Sequence, residues 1–598
     1  MISNTDIRYF FDTYYDNFMH SLAWEDHLLE PASREEWLAT LRACADDQQQ
    51  RCADNQILLE QYLYPLSSNP ALLSDEGYDL LLSFCRDFYY SNYTEPALLI
   101  RIIDILLPHY EDRSDTESLL FLYICAGFSY MELSRTGEPT SRDKTIYFYT
   151  KVLSYRDQIE FFESAASRDY IFLAYYNLIR VAPGLGILDI ETAYRLWEEL
   201  CQIRTMPKFC QYDTTNPRIP QLCDCAINDF RAYGAVLNVE RVIAPSAILS
   251  SLENMTQIYY SEILHEHGSI YECPVFTVFN YHYVQARNGT ITWEAAWQIL
   301  DDYYVHKMQT IGQVSSPDLL AFYTNLPLNL IDVLGHTHFK EEFKQATYRR
   351  YRNLITSYLM NQPASLNSYT LNNGVQLVAF HPLILGTFQN RMEKMNFIVD
   401  LVVTRHLTTF THSVMVSYLA EAIGKHILAA RPELLRIPSS YLEGNVYASP
   451  AEVLDYIVPA ALFHDIGKNG MIPIINTQHR KLNDYEFNII QTHPQKGSDY
   501  LSSDPDFLIY QPVALGHHRS YDGTRGYPLS FDNTASPYRD AIDLIHICDC
   551  LDAATDYLSR NYHRAKPFDV VLNELKAGRG TEYNPDMVDV ILSDRELY

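Results

Sequence analysis

The residues of this chain that could do chemistry are concentrated at one end. Of 20 histidines, ten lie beyond residue 391: His406, His412, His426, His464, His479, His493, His517, His518, His546 and His563. Four features stand out among them. His412 sits in a strongly periodic apolar stretch, and His464 is followed directly by Asp465. His493 opens the run His493-Pro494-Gln495-Lys496-Gly497, and His517 and His518 are adjacent. Asp549 follows in a second apolar stretch. Imidazoles and carboxylates on separate helices can converge in a bundle core and hold two divalent cations, one carboxylate bridging. Such a pair makes hydroxide available at neutral pH and clamps the attacking and leaving oxygens of a phosphoryl centre. A single histidine is more often a surface or hydrogen-bonded core residue, and His406, His426, His479, His546 and His563 are read that way.

The elements that must position these groups are helical. At 598 residues the chain has material for about four domain-sized units, too much for one hydrophobic core. From about residue 5 to residue 360, apolar residues recur at three- and four-residue spacing, as in 79–91, 98–108 and 191–201. Turn residues punctuate them at 67–70, 135–139 and 182–186. This succession predicts paired helices stacked as a tetratricopeptide-like solenoid. The segments starting at Thr192 and Glu294 align at an offset of 102, three times the 34-residue period, with Ala193 and Ala295 as the small packing residues. An irregular helical domain is the rival reading. The many tyrosines, 47 in all, are read as fillers of inter-helix gaps, with an aromatic peptide groove as the sharper alternative.

A junction is marked by 38 residues, between Arg352 and Arg391, that contain no Asp, Glu, Lys or Arg. Within it Asn373-Gly374 lies between short apolar runs, which predicts a β-hairpin. The expected organisation is therefore a helical-repeat regulatory or partner domain at 1–360, a linker with a hairpin at 361–390, and a second all-α domain at 391–598. Net charge divides at the same place: −21 for residues 1–390 and −8 for 391–598, out of −29. A field of that sign repels nucleic acid polymers and anionic lipid. The longest clearly apolar uncharged run, Ser118 to Met131, is 14 residues, against the ~20 a membrane span needs. The N-terminal residues have no secretory-signal pattern. The 11 scattered cysteines, including Cys223-Asp-Cys225 and Cys548-Asp-Cys550, read as structural thiols of a reduced, cytoplasmic, soluble chain.

Residues 391–598 carry an ordered series of motifs: His464-Asp465-Ile466-Gly467-Lys468, Met471-Ile472-Pro473, 481–486, and His493-Pro494-Gln495-Lys496-Gly497. His517-His518 then precedes Asp522-Gly523 and Gly526-Tyr527-Pro528. Asp549-Cys550-Leu551-Asp552-Ala553, Arg560-Asn561-Tyr562 and Gly580-Thr581-Glu582-Tyr583-Asn584-Pro585 complete it. With this series, residues 391–598 resemble the HD-GYP family of the HD phosphohydrolase superfamily. The helical part shares none of it.

The resemblance implies an α-helical metal-dependent phosphodiesterase that cuts cyclic di-GMP to linear pGpG, and on to GMP after a second cut. A hydroxide bridging two divalent metals, iron or manganese with zinc not excluded, would attack phosphorus. His412, His464, Asp465, His493, His517, His518 and Asp549 would be the ligands, with Asp465 bridging. Lys468 would contact substrate phosphate and neutralise developing charge. Gly526, Tyr527 and Pro528 would shape the substrate side, and Arg560 would be either a phosphate contact or a solvated surface arginine. Four departures from the family pattern bear on substrate fit. Thr408 stands where some members have a third-metal glutamate, and Arg519-Ser520 replaces the usual Glu-Arg. Arg525 is an extra residue inside the GYP motif, and 431–450 reads as an inserted loop. Arg519 would supply the missing positive charge from a shifted position, or phosphate binding would be weakened; Arg525 would perturb its loop on the substrate side. The implied partners are a cyclic dinucleotide and a second copy of the chain, since family members often dimerise; the architecture adds a protein or peptide on the helical region. Two other functions stay open: a non-catalytic cyclic-dinucleotide- or protein-binding adaptor, and an HD phosphohydrolase acting on another nucleotide.

Overall fold

The computed structural model describes residues 2–27, 33–90, 95–161, 165–207, 209, 218–234, 246–310, 319, 322–362, 369–403, 407–439, 447–471, 480–556 and 565–593. Helices dominate, and β pairing among these residues is confined to isolated bridges such as Arg519 with Gly526. The fold class is all-α.

By internal contacts the chain forms two units: Met1–Phe11 with Glu60–Tyr351, and Asp12–Leu59 with Arg352–Tyr598. In the first, amphipathic helices follow one another, and many pack on their chain neighbours. The helices Asp75–Tyr90, Pro96–Arg113, Thr116–Ser134 and Pro139–Leu153 form such a run. Contacts also skip one element, as between Thr116–Ser134 and Ala165–Tyr176, or Arg218–Tyr233 and Val275–Arg287. That nearest- and next-neighbour pattern is how a stacked helical array buries its apolar faces. The two segments aligned from the sequence are both helices, Ile190–Arg204 and Trp293–Met308. Their register differs by one residue from that alignment. Asp189 and Thr292 cap them, each accepting from the backbone three residues on, and the buried alanines are Ala193 and Ala296. Capping and packing thus match at an offset of 103, which breaks the exact 34-residue period.

The expected hairpin at the junction is corrected by the structure: Tyr369–Ala379 is a helix. Leu371, Val375, Val378 and Ala379 are buried, a spacing of four, three and one that fits a helical face and not a strand. The Asn-Gly pair falls within that helix because burying this face outweighs the local turn preference of two residues. Gln376 then ties the helix to the second unit's core, its Nε2 donating to the Asn469 carbonyl at 2.5 Å and its Oε1 accepting from the Tyr500 hydroxyl at 3.0 Å.

The second unit is built on Leu407–Ala430, Pro450–Phe463, His493–Leu501, Gln511–Gly516 and Arg539–Thr555. Leu407–Ala430 packs against both Pro450–Phe463 and Arg539–Thr555. Ile423, Ile427, Ile457, Leu544 and Ile547 are buried on these three helices. Residues 12–59 of the N-terminal helices fall in the same unit, and within that segment Asn17 and Asn55 are buried and joined side chain to side chain at 2.9 Å. No helix among the described residues is long and apolar enough to cross a membrane.

Candidate metal centre

Local sequence places each donor. Ser449 and Glu452 form a reciprocal capping box with Pro450 in the first turn, starting the helix that delivers His464 and Asp465 at its C-terminal end. The chain then tightens into the 3₁₀ segment Ile466–Met471. Gly467 lies so close to the next donor helix that an added Cβ would run into the His493 carbonyl. A second box, Asn483 with Glu486, starts Asp484–Ile490, and Arg480 clamps Glu486 with two bonds of 2.7 and 2.8 Å in a buried pair. His493 opens His493–Leu501, and His517-His518 follow Gln511–Gly516. His412 and Asp549 come from within Leu407–Ala430 and Arg539–Thr555.

These residues, far apart in the chain, meet in two groups: His412, His464 and Asp549, and Asp465, His493, His517 and His518. All seven ligands expected from the sequence are present in them. Asp465 is shared. Its Oδ1 lies 3.0 Å from His493 Nε2 and 3.5 Å from His517 Nε2. Its Oδ2 lies 3.5 Å from both His412 Nε2 and His464 Nε2. Asp549 spans the groups in the same way, Oδ1 3.0 Å from His412 Nε2 and Oδ2 3.7 Å from His518 Nδ1. The Lys468 ammonium contacts Asp465 Oδ2 at the edge of the cluster.

The hydrogen bonds on the far side of each ring decide what faces the centre. Nδ1 of His464, His493 and His517 lies 2.6, 2.7 and 2.9 Å from the carbonyl oxygens of Ala461, Ile490 and Ala514. A carbonyl only accepts, so each Nδ1 carries the proton, and a neutral ring then presents a lone pair at Nε2. His493 Nε2 and His517 Nε2 are 3.2 Å apart, with the anionic Asp465 Oδ1 beside them. Lone pairs packed so closely in a buried site repel unless a cation lies among them. His464 Nε2 and Asp465 Oδ1 are buried atoms without a hydrogen bond, consistent with the same need. The donor set, imidazole nitrogen and carboxylate oxygen, suits divalent transition metals. The residues fit a two-cation centre.

Electrostatics agrees. Burial pushes His464 down to about 3 and His493 to about 4, so both are neutral ligands at neutral pH. Burial also lowers His518 well below the usual histidine range. His412 differs: burial opposes the charged form, but Asp549 and Asp552 outweigh it and raise the imidazole to about 9, so a cation would have to displace the proton on its Nε2. Burial likewise opposes the Asp465 carboxylate, yet Lys468 and the histidines hold it well below the usual range. Asp549 is held down in the same way, chiefly by His412 and His518.

Asp552 is a residue beside the cluster that the sequence left without a role. Its Oδ2 is 2.6 Å from His412 Nδ1, a carboxylate orienting a metal-facing imidazole. Its signal was its place three residues after Asp549. Asp543, His546, Asp549 and Asp552 follow one another at that spacing, and all are buried. Each three-residue step turns back round the helix by about 60°, so the four fan over about half its circumference. His546 is the hydrogen-bonded core histidine expected of it, its Nδ1 2.6 Å from the His517 carbonyl.

The remaining expected site residues divide. Tyr527 tilts over His518 with ring centroids 4.5 Å apart, and Gly526, at φ +84°, lies so close to the His518 carbonyl that no Cβ would fit. Pro528 continues this loop, its carbonyl accepting from Phe531 N at 3.2 Å. Arg519 turns inward. It is 5% exposed, and its guanidinium donates to the carbonyls of Gly523, Arg525 and Gly526 in its own loop. The Arg519 guanidinium thus braces its own loop, with three backbone carbonyls as its partners. Arg525 is exposed and pairs with Glu582 at 3.2 Å. Arg560, His406, His479 and His563 lie outside the described residues, and the described part of the 431–450 insertion holds the bridge between Pro438 and Tyr447.

Comparison with known proteins points the same way. The HD domain family model matches residues 409–560. A cyclic di-GMP phosphodiesterase of Vibrio cholerae is 26% identical over 46% of this chain and 60% of that protein. A cyclic di-GMP phosphodiesterase response regulator of Xanthomonas campestris is 33% identical over 24% of this chain and 37% of its own length. A 3′3′-cGAMP-specific phosphodiesterase of Vibrio cholerae is 25% identical over 33% of this chain and 37% of its own. The chain thus spans less than two thirds of each of these relatives. With the matched residues enclosing His412, the His464-Asp465 pair, His493, His517-His518 and Asp549, the C-terminal part of this chain carries an HD domain of the HD-GYP family.

Proposed function

We propose that this domain is a phosphodiesterase that opens cyclic di-GMP to linear pGpG, and on to GMP after a second cut, using two divalent cations. The observation that carries the reading is the position of Asp465, whose two oxygens face different histidines: His493 and His517 on one side, His412 and His464 on the other. The names of the similar proteins support the substrate class. His412, His464 and Asp549 would hold one cation, His493, His517 and His518 the other, with Asp465 between them. When bound, the cations would supply Lewis acidity, lowering the pKa of water and drawing charge from phosphoryl oxygens. Iron or manganese suits this mixture of imidazole and carboxylate.

The chain's own residues do the rest. Asp465 and Asp549, both held as carboxylates, offset cationic charge in a buried site. The carbonyls of Ala461, Ile490 and Ala514 lock three imidazoles in the tautomer that faces inward. Lys468, at the rim with its side chain 16% exposed, is positioned to take an anionic phosphate oxygen of the substrate. Tyr527 keeps the His518 ring in place on the substrate side. In the same reading, the helical part expected at 1–360, apart from the segment 12–59 that falls in the second unit, is a regulatory array that docks a protein or peptide, and 391–598 is the catalytic domain.

The test is product analysis by liquid chromatography and mass spectrometry. The full chain, loaded with Mn²⁺ or anaerobically with Fe²⁺, is incubated separately with cyclic di-GMP and 3′3′-cGAMP beside a His464→Ala/Asp465→Ala control. Linear pGpG or GMP from the intact chain alone is the expected result. Turnover of 3′3′-cGAMP only would move the substrate assignment, and two bound metals without turnover of either would overturn the reading.

A further inference from the structure

The terminal motif Gly580–Pro585 has no part in the donor set, yet it is built into the element that carries two donors. Tyr521 N donates to the Glu582 carbonyl at 2.9 Å, and Asp522 N to the Thr581 carbonyl at 3.0 Å. These bonds stitch the motif to the loop running from His517-His518 to Gly526-Tyr527. The Glu582 side chain then reaches in two directions. Its Oε1 lies 3.4 Å from Nε2 of the buried His546, whose Nδ1 is bonded to the His517 carbonyl. Its Oε2 lies 3.2 Å from Arg525 Nη2 on the loop itself. The Tyr583 ring backs His546 at 5.4 Å between centroids. One residue on, Asn584 donates to Asp543 at 3.0 Å, and its Oδ1 accepts from the backbone of Asp586 and Met587, starting the last helix. The motif is therefore anchored on Arg539–Thr555 at Asp543 and His546, two steps and one step of three residues before the donor Asp549.

We propose that Glu582 is a positioning residue: through His546 and Arg525 it holds the loop bearing His517, His518 and Tyr527 in the register that completes the second group of donors. Arg525 is the extra residue in this chain's GYP motif, so the ion pair gives the lengthened loop a fixed anchor. The substitutions to compare are Glu582→Ala, which removes both contacts, and Glu582→Gln, whose amide can still hydrogen-bond His546.

The experiment on the full chain has two arms. In the first, hydrogen exchange is followed on metal-free protein at the amides of Tyr521 and Asp522. Glu582→Ala is expected to raise their exchange by about tenfold, with Glu582→Gln close to wild type. In the second, Mn²⁺ titration is expected to show one of two binding steps weakened about tenfold in Glu582→Ala and restored to within about threefold in Glu582→Gln, as outer partners of metal ligands behave. Only this second arm rests on the proposed metal function. If wild type takes up no Mn²⁺, that function fails while the exchange arm still decides this inference. Unchanged exchange in Glu582→Ala, or equal damage from Ala and Gln, overturns the role given to the Glu582 side chain.

Discussion

His412 is gripped from both ends: Asp552 Oδ2 lies 2.6 Å from its Nδ1, and Asp549 Oδ1 lies 3.0 Å from its Nε2. The two carboxylates come from one helix, three residues apart, and work on opposite sides of the same ring. Asp549 belongs to the donor set, whereas Asp552 sets the ring's tautomer and orientation. Replacing Asp552 with Ala should therefore lower Mn²⁺ affinity by about 10- to 100-fold while leaving the donor count intact. Isothermal titration of the purified chain measures this, and affinity equal to wild type would remove Asp552 from the site.

Cation removal should cost stability. The lone pairs of His493 and His517 and the Asp465 carboxylate face each other at 3.0 to 3.5 Å in the buried core. A cation bound at a hundred times its Kd stabilises a fold by about 2.7 kcal/mol. Adding a chelator should accordingly lower the melting temperature of the catalytic unit in wild type. The same chelator should have no effect on Asp465→Ala, and a chelator response there would place the stabilising metal elsewhere.

Gly467→Ala tests the packing that brings Asp465 to His493. The added Cβ meets backbone, the carbonyl of His493 and the nitrogen of Gly497, and backbone cannot rotate away as a side chain can. The 3₁₀ segment must shift, and a shift of about 1 Å in a catalytic group can cost on the order of 100-fold in rate. We expect loss of metal binding and turnover in a chain whose helical circular dichroism is little changed. Full metal occupancy in Gly467→Ala would contradict the close approach.

Asp543 makes stability depend on pH. Burial raises its carboxyl to about 7, although Asn584 and Arg539 pull the other way. An acid whose folded pKa lies above its unfolded value of about 3.9 stabilises fully below that value and loses the contribution as pH rises through about 7. Asp543→Asn, a neutral isostere, should thus be more stable than wild type above pH 7, by on the order of 1–3 kcal/mol. The gap should close below about pH 4. Urea unfolding at pH 4, 6 and 8 checks the sign, and a gap independent of pH would mean Asp543 is not the titrating group.

The sequence alone determined the all-helical class, and it pointed to two unlike parts of the chain and to seven candidate donors. Each of these rests on residue type and short-range order: three- and four-residue apolar spacing, His464 beside Asp465, His517 beside His518. What it misjudged depends on which face is buried. Asn373-Gly374 has the local signature of a turn, yet Leu371, Val375 and Val378 lie on one helical face, and burial of that face decided the conformation. Arg519 reads as a cation available to substrate, but its fate was settled by three carbonyls that only the folded loop brings together. Asp552 and Glu582 were both visible in the motifs without a role, since each acts on a histidine from a distant part of the chain: His412 is 140 residues from Asp552, and His546 meets Glu582 from another element. Spacing along a helix tells which side chains share a face. Only tertiary packing tells what that face meets.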